Sequence, residues 1–188
     1  DLCRRGVLSR HAEVPLGAAE AALEIQRMPM LLDCTLRDGG YYTNWEFDRG
    51  LIHSYLNAMS AIQVDFVEIG FRGMKSMGFL GPHATCSDAY LRTLNIPSDL
   101  NIGVMVNASD FADNSVPIKQ QVTKIFRHQT SSPVSLIRIA FHFKEIKTTI
   151  KLARVFMLMG YKVGLNLMQI ASRTSEEILS VIREVNAL

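Results

Sequence analysis

The sequence predicts an α/β fold, in particular a (β/α)8 TIM barrel that is truncated after about five βα units. Two observations support this prediction. Strand-like and helix-like segments alternate from residue 31 to residue 188, which is typical of a parallel sheet. Each predicted strand also has one aliphatic face, whereas its other face mixes small and polar residues. An open doubly wound sheet needs two apolar faces, so the one-sided pattern favours a barrel over an open five-stranded sheet.

The predicted strands are short apolar runs, and they cover residues 31–34, 65–69, 101–107, 136–141 and 162–168. Apolar residues at helical spacing predict helices between them, over about 51–59, 85–94, 117–128 and 144–159. A capping box of Thr174 with Glu177 begins the last helix. After the first strand, Gly39 and Gly40 are expected to turn the chain.

Residues 1–28 differ from the rest because they show no sustained amphipathic pattern. We expect a loosely ordered N-terminal extension here, ahead of a partial barrel domain over residues 29–188. A tag, a read-through segment or a loose arm would each fit this composition. An Arg-rich targeting peptide is the alternative.

Composition argues against several classes of partner. The net charge is only +2 and the basic residues are scattered, so neither nucleic acid nor an anionic membrane is expected as a partner. The sequence has no run of about 18 apolar residues, so it predicts no membrane span. The three cysteines are too few and too widely spaced for a disulfide framework or a zinc site, which favours a reducing, cytoplasmic location.

Six polar residues are predicted on the interior faces of the strands or directly after them, where the carboxyl ends of parallel strands meet. They are Asp33, Glu68, Asn107, Arg138, His142 and Asn166. Burying so many polar groups is costly, so a functional site explains them better than chance does. The alternative for Glu68 and Arg138 is a structural ion pair. His53, His83 and His128 fall on helices or loops and are expected to be ordinary surface residues.

The most specific motif follows the first strand and reads Asp33-Cys34-Thr35-Leu36-Arg37-Asp38-Gly39-Gly40. A carboxylate at this position can hold a hard cation, and a guanidinium can hold a carboxylate or a developing enolate. The alternative is a solvated loop that carries an Arg–Asp pair. The residues that follow, from Gly40 to Trp45, either shape the acceptor side of a pocket or form a packed lid without ligand contact.

This motif resembles the signature of the DRE-TIM metallolyases, a superfamily that includes HMG-CoA lyase-like enzymes with a pyruvate carboxyltransferase domain. The resemblance is closest to the 4-hydroxy-2-oxovalerate aldolase branch. It continues at Val67-Glu68-Ile69-Gly70-Phe71 and at Arg138-Ile139-Ala140-Phe141-His142, and it covers roughly residues 31 to 188.

The resemblance implies a carbon–carbon lyase or acyl-transferring synthase that acts on a 2-oxo acid such as pyruvate. Asp38 would bind Mn²⁺ or Mg²⁺, Arg37 would stabilise the enolate, and Glu68 would orient Arg37. Tyr41 stands near the position where the aldolase branch has a histidine, and it would be the catalytic base. Residues of the pocket that contact substrate would be Asp33, Asn107, Arg138, His142 and Asn166. A homo-oligomer would be compatible with the family.

The family's two further metal ligands form a His-x-His on strand seven, and this sequence contains no His-x-His. A catalytically inactive fragment, or a receiver-type binding module with five parallel strands, is therefore one alternative. The receiver-type module would need an Asp where Asn107 stands and a Lys near Met168. A Schiff-base aldolase is the other alternative, and it would need an interior Lys, whereas Lys162 begins its strand and Lys75 lies in a loop.

Overall fold

Parallel strands in sequential order form the centre of the structure, a computed structural model that describes residues 30–74 and 78–188. Within these residues the sheet has five strands, which are β1 Leu32–Asp33, β2 Phe66–Phe71, β3 Asn101–Asn107, β4 Val134–Phe141 and β5 Lys162–Leu167. They pair in the order β1-β2-β3-β4-β5, and every pair is parallel. This order confirms the prediction and differs from the 2-1-3-4-5 order of a receiver-type module. The sheet curls as a half-barrel.

Helices separate the strands, as expected for βα units. They are α1 Thr35–Thr43, α2 Arg49–Ala61, α3 Asp88–Leu91, α4 Ile118–Thr123, α5 Ile146–Leu158 and α6 Ser175–Val185. Both halves of the predicted capping box are present, since the Thr174 hydroxyl accepts from the Glu177 N–H and the Glu177 carboxylate accepts from the Thr174 N–H. Helices α3 and α4 are shorter than predicted. Segments of this length depend on tertiary packing more than on propensity, so the apolar spacing alone did not determine where they end.

One sheet face packs against the helices and builds a single core cluster. Its strand residues alternate as predicted and are at most 1% exposed, namely Val67, Ile69, Ile102, Val104, Val106, Ile137, Ile139 and Phe141. Helix residues such as Ile52, Leu56 and Phe156 complete the cluster. The opposite face carries Glu68 and Arg138.

Asp33 lies on the helix-facing side, which differs from its predicted place beside Glu68. The register pairs Asp33 with Val67, so both residues share a face. The Asp33 carboxylate accepts hydrogen bonds from the Tyr55 hydroxyl of α2 and from the Thr35 N–H and hydroxyl. Asp33 therefore fixes helix α2 to the end of β1.

Gly39 and Gly40 lie inside helix α1 and do not turn the chain, contrary to expectation. The helix ends at Asn44, whose φ of 54° is left-handed. Gly40 is required by packing, because a Cβ atom there would lie 2.1 Å from Cδ1 and Nε1 of Trp45. Gly40 thus allows the indole ring to lie directly against the helix.

His83 is fully buried, so its predicted surface position is wrong. Its Nδ1–H donates to the Ile69 carbonyl at 2.7 Å, and its Nε2 lies 2.9 Å from the Tyr90 hydroxyl. Burial lowers the pKa of His83, against the opposing effect of the hydrogen bond to Ile69. A neutral imidazole therefore supports β2 from the segment that follows it. No helix in residues 30–74 and 78–188 has the length and hydropathy to cross a membrane.

The two adjacent glycines of α1 give a matched test of this packing. We expect Gly40→Ala to lower the free energy of unfolding by about 1–3 kcal/mol, because the new methyl group overlaps the Trp45 ring. Gly39→Ala should raise it by about 0.5–1 kcal/mol, because its Cβ would meet only Phe47 at 3.8 Å and alanine favours the helix. Urea denaturation measures both, and equal effects would contradict the assigned packing.

The Tyr55–Asp33 hydrogen bond should make stability depend on pH. Burial alone would raise the pKa of Asp33, but hydrogen bonds from Tyr55 and Thr35 outweigh it and lower the pKa below 3.8. Such a carboxylate stabilises the fold above its unfolded pKa, and this contribution is lost as pH falls through the folded pKa. Tyr55→Phe should cost about 1–2 kcal/mol near neutral pH, and this deficit should shrink below pH 3.8.

Tyr161→Phe is the control for this experiment, because the Tyr161 hydroxyl donates to the Arg127 carbonyl, an acceptor that does not titrate. Its deficit in urea denaturation should stay constant over the same acidic range. A Tyr55→Phe deficit that is equally constant would show that Asp33 is not the group responsible.

Candidate active site

A buried carboxylate between two arginines forms the centre of the concave face. Glu68 of β2 is 0% exposed. Its Oε1 accepts from Arg37 Nε at 2.6 Å and from Arg138 Nη2 at 2.9 Å, and its Oε2 accepts from Arg138 Nε at 2.7 Å. The structure therefore unites three residues that the sequence analysis singled out, and it orients both guanidinium groups rigidly.

Each of the three residues reaches the cluster from a different element. Arg37 lies in the first turn of α1, and Arg138 lies on β4. The register places Gly164 of β5 beside Arg138, where a Cβ would stand 3.3 Å from the Arg138 Cγ. The lack of a side chain at this position gives room for the arginine stem to cross the sheet toward Glu68.

Asp38 extends the cluster toward solvent. Its carboxylate pairs with Arg37 Nη1, and its side chain is 60% exposed. The Arg–Asp pair predicted as the alternative reading of the motif is therefore present, but it continues inward to Glu68. Burial would lower the pKa of Arg37, but the hydrogen bond and charge of Glu68, with the charge of Asp38, raise it above its usual value. Arg37 therefore keeps its positive charge.

Cys34 is a neighbour of this cluster that the sequence analysis missed. Burial raises the pKa of its thiol and the charge of Glu68 raises it further, while Arg138 and Arg37 act in the opposite direction. The thiol is therefore protonated at neutral pH. Because the structure places Asp33 toward the helices, alternation places the next residue toward Glu68, but a strand of two residues gave the sequence analysis no period from which to predict this.

The other predicted residues surround the cluster without touching Glu68. Asn107 ends β3 and, with Tyr41, lines a cavity of about 60 Å³. Asn166 of β5 is half-buried and pairs in register with Ala140. His142 follows β4 beside a wider opening with Lys144 and Arg173, and its N–H donates to the Glu145 carboxylate at 2.8 Å. All four lie at or beyond the carboxyl ends of the strands.

The aromatic ring of Phe71 separates the arginine cluster from the cavity. The Cζ atom of Arg37 lies 5.8 Å from the centre of this ring, and the Trp45 ring lies 5.9 Å from it on another side. Trp45 and Arg72 line the cavity. Trp45 belongs to the segment from Gly40 that was expected either to shape a pocket or to form a packed lid. Arg72 was not predicted as a site residue, because it follows a strand irregularity that the sequence does not show.

The described residues do not fit a complete divalent metal site. No group of three or more His, Cys, Asp or Glu side chains that could hold a metal ion occurs within residues 30–74 and 78–188. Asp38 supplies one exposed carboxylate, and two arginines engage Glu68. A divalent cation generally needs more oxygen or nitrogen ligands than this.

A half-barrel that carries an Arg–Glu–Arg cluster on its concave face can be compared with known structures. The chain is similar to the crystal structure of the N-terminal domain of a "putative aldolase" from Bacteroides vulgatus, with a TM-score of 0.63 and 26% sequence identity. The match covers 85% of this chain and 60% of that one, so the chain spans about 60% of the length of this neighbour. No protein-family model and no curated protein matches the sequence.

The buried carboxylate should dominate the stability of the site. Glu68→Gln leaves two guanidinium groups without their shared negative charge, so we expect it to lower the free energy of unfolding by about 3–5 kcal/mol. Glu177→Gln is the matched control, because its ion pair with Arg173 is exposed and 3.2 Å long. That change should cost less than about 1 kcal/mol in the same denaturation experiment. Similar losses for both variants would contradict a special role for Glu68.

Proposed function

We propose that the protein is an aldolase-type lyase, or a synthase of the same chemistry, that acts on a 2-oxo acid such as pyruvate through an enolate. The observation that carries this proposal is the Arg37–Glu68–Arg138 cluster. Two cations surround one buried anion, so these three groups carry one unit of positive charge, and the exposed Asp38 carboxylate pairs with Arg37 from the solvent side. The similarity to the Bacteroides vulgatus domain supports the reaction class.

The arginines can bind the anionic substrate with N–H groups that Glu68 does not use. Glu68 takes Nε of Arg37 and Nε and Nη2 of Arg138. Arg37 Nη2 and Arg138 Nη1 are donors of this cluster that lie beyond those contacts. A carboxylate or an enolate oxygen matches them, because charged hydrogen bonds of this kind are stronger than neutral ones.

The proposed reaction balances as an aldol addition or its reversal. A base removes a proton from the carbon next to the 2-oxo group, and the enolate oxygen takes the negative charge. The enolate carbon then attacks the carbonyl carbon of an acceptor, one C–C bond forms, and the acceptor oxygen takes a proton. Cleavage runs the same steps backwards. Arg37 stabilises the enolate because Glu68 holds it in place before the charge develops.

Tyr41 is the proposed base on the resemblance alone. Its ring is 61% exposed and packs edge-on against Trp45 and Phe71. Within the described residues, no hydrogen bond connects its phenol to a group that could receive its proton. Asp33 lies on the opposite face and is better explained as a support for α2.

The metal is a separate proposal. The resemblance implies Mn²⁺ or Mg²⁺ on Asp38, and the described residues offer one carboxylate for it. Further ligands would have to come from outside these residues, and we assign no step of the reaction to the ion. Titration with Mn²⁺, followed by its paramagnetic effect on nearby protons, tests whether Asp38 binds it.

A Schiff-base mechanism is less well supported. It needs a lysine on the concave face of the sheet, but every lysine among residues 30–74 and 78–188 is exposed. Lys162 begins β5, at the amino end of the sheet. Borohydride with pyruvate should therefore leave the protein unmodified.

Oxalate, which resembles the enolate of pyruvate, tests the proposed site. Calorimetry should show that Arg37→Met weakens oxalate binding by about ten- to a hundredfold, the amount expected for a charged hydrogen bond. Arg138 still donates two hydrogen bonds to Glu68 in this variant, so the fold should persist. Arg173→Met is the control, since it removes an exposed arginine outside the cluster. Unchanged oxalate binding in Arg37→Met would overturn the proposal.

A further inference from the structure

The aromatic ring of Phe71 lies on the concave face, where the strand period does not place it. Uninterrupted alternation along β2 would put Phe71 on the same face as Ile69, toward the helices. The register changes this, because Glu68 pairs with Gly103 but Phe71 pairs with Met105, so β2 advances three positions while β3 advances two. Since Gly103 and Met105 share a face, Phe71 shares the face of Glu68.

This register shift of one residue has a local cause at Gly70. A Cβ atom at Gly70 would lie 2.0 Å from the His83 carbonyl oxygen, so a residue with a side chain does not fit there. The pairing resumes directly afterwards, since the Arg72 N–H donates to the Met105 carbonyl at 2.9 Å. An extra residue of this kind turns a side chain to the other face, and it is frequent next to functional sites. Here the side chain that it turns is Phe71.

The Phe71 ring covers one face of the Arg37 guanidinium group. The Cζ atom of Arg37 lies over the ring, 5.8 Å from its centre and within the range of about 6 Å for a cation–π interaction. Glu68 engages Nε of the same group, and Asp38 engages Nη1. The Asp38 side chain is 60% exposed, so solvent weakens its hold. Phe71 therefore restrains rotation of the guanidinium plane about the hydrogen bond to Glu68.

Two further rings hold Phe71 in its own orientation. The ring centres of Tyr41 and Trp45 lie 6.2 and 5.9 Å from that of Phe71, and 4.7 Å from each other, all in edge-on geometry. Trp45 is 5% exposed, and its backbone N–H donates to the Gly40 carbonyl at 3.0 Å. Edge-on aromatic pairs are favourable beyond the area that they bury. The three rings thus fix the face of Phe71 before any ligand binds.

Phe71 also reduces the polarity around the charge of Arg37. The Arg37 side chain is only 13% exposed, and a hydrocarbon ring on one of its faces excludes water from that face. A charged hydrogen bond to an anion is stronger where water is excluded. Phe71 therefore supports anion binding in two ways, since it orients the guanidinium group and strengthens the effect of its charge.

We propose that Phe71 is a positioning residue of the proposed reaction, and that the face of its ring holds the Arg37 guanidinium in the orientation that binds the 2-oxo acid and its enolate. Phe71 acts through Arg37 and exchanges no proton or electron pair with the substrate. The inference rests on the proposed aldolase function, because only that function gives Arg37 an enolate to stabilise.

Ring fluorination at position 71 tests this role. Fluorine withdraws electron density from the face of a phenyl ring and changes its shape little, so it weakens a cation–π interaction without opening a cavity. Phe71 is replaced by phenylalanines that carry one, two or three ring fluorines, and oxalate binding is measured by calorimetry. We expect the affinity to fall with each fluorine, by about two- to fivefold over the series. A flat series would overturn the inference, because a purely structural role predicts it.

The same fluorine series at Phe111 is the control. The ring neighbour of Phe111 is Phe156, at 6.5 Å, so this series should leave oxalate binding unchanged. Phe71→Leu should weaken binding about as much as three fluorines do, whereas Phe71→Tyr keeps an electron-rich face and should retain it. The fluorine series stays decisive if Phe71→Leu folds poorly. Equal losses at positions 71 and 111 would indicate a general loosening of the core and would also reject the inference.

Arg37→Met separates this inference from the proposed function. In that variant the series at Phe71 should not change the remaining oxalate binding, because the cation is gone. A series that keeps its effect there would show that the ring acts without Arg37, contrary to the inference. Oxalate binding that depends on Arg37 but not on fluorination would reject the role of Phe71 alone. Oxalate binding that is independent of Arg37 would reject the enolate chemistry, and the positioning role with it.

Discussion

The negative charge of Glu68 is the constraint on which the concave face depends. Complete burial of a carboxylate is unfavourable unless cations and hydrogen bonds compensate it. Arg37 and Arg138 supply three hydrogen bonds, and this requirement fixes the start of α1 against β2 and β4. Other features follow from it. Gly164 leaves space for one arginine stem, and Asp38 pairs with Arg37 on the side of the guanidinium that Glu68 does not engage.

The sequence predicted the elements whose signals are local. Alternation along β2 to β5 identified the helix-facing residues, because only one of the two faces of each strand is uniformly apolar. This one-sided pattern favoured a barrel, and a barrel predicts the sequential strand order that the structure has. It also singled out Glu68 and Arg138, whereas Arg37 came from the motif after the first strand. It failed at β1, where two residues are too few to show a period, so Asp33 was placed on the wrong face. Gly39 and Gly40 misled for another reason, since both lie within a helix and Gly40 serves packing against Trp45, which cannot be seen without the fold.

The rest of the candidate site depends on contacts between distant residues. His83 has no sequence feature that distinguishes it from a surface histidine, yet it is buried between Ile69 and Tyr90. Arg72 leaves the strand at an irregularity between Glu68 and Phe71, which shifts its direction relative to the pattern. The two halves of the site therefore differ in origin. The arginine cluster follows from the strand period and the motif after β1, and the cavity beside it follows from a helix end and a strand irregularity.

The spacing of the Glu68 contacts along the chain has a consequence for folding during synthesis. Arg37 is 31 positions from Glu68, whereas Arg138 is 70 positions away on the other side. Ribosomes add roughly 5–20 residues per second, so about 4–14 s separate the appearance of Glu68 from that of Arg138. During that interval, of the two arginines that bind Glu68 only Arg37 has been synthesised, so the Glu68 carboxylate must stay hydrated. We therefore expect β1 to β3 to form an open intermediate during synthesis. Its concave face closes when β4 has been synthesised and pairs with β3.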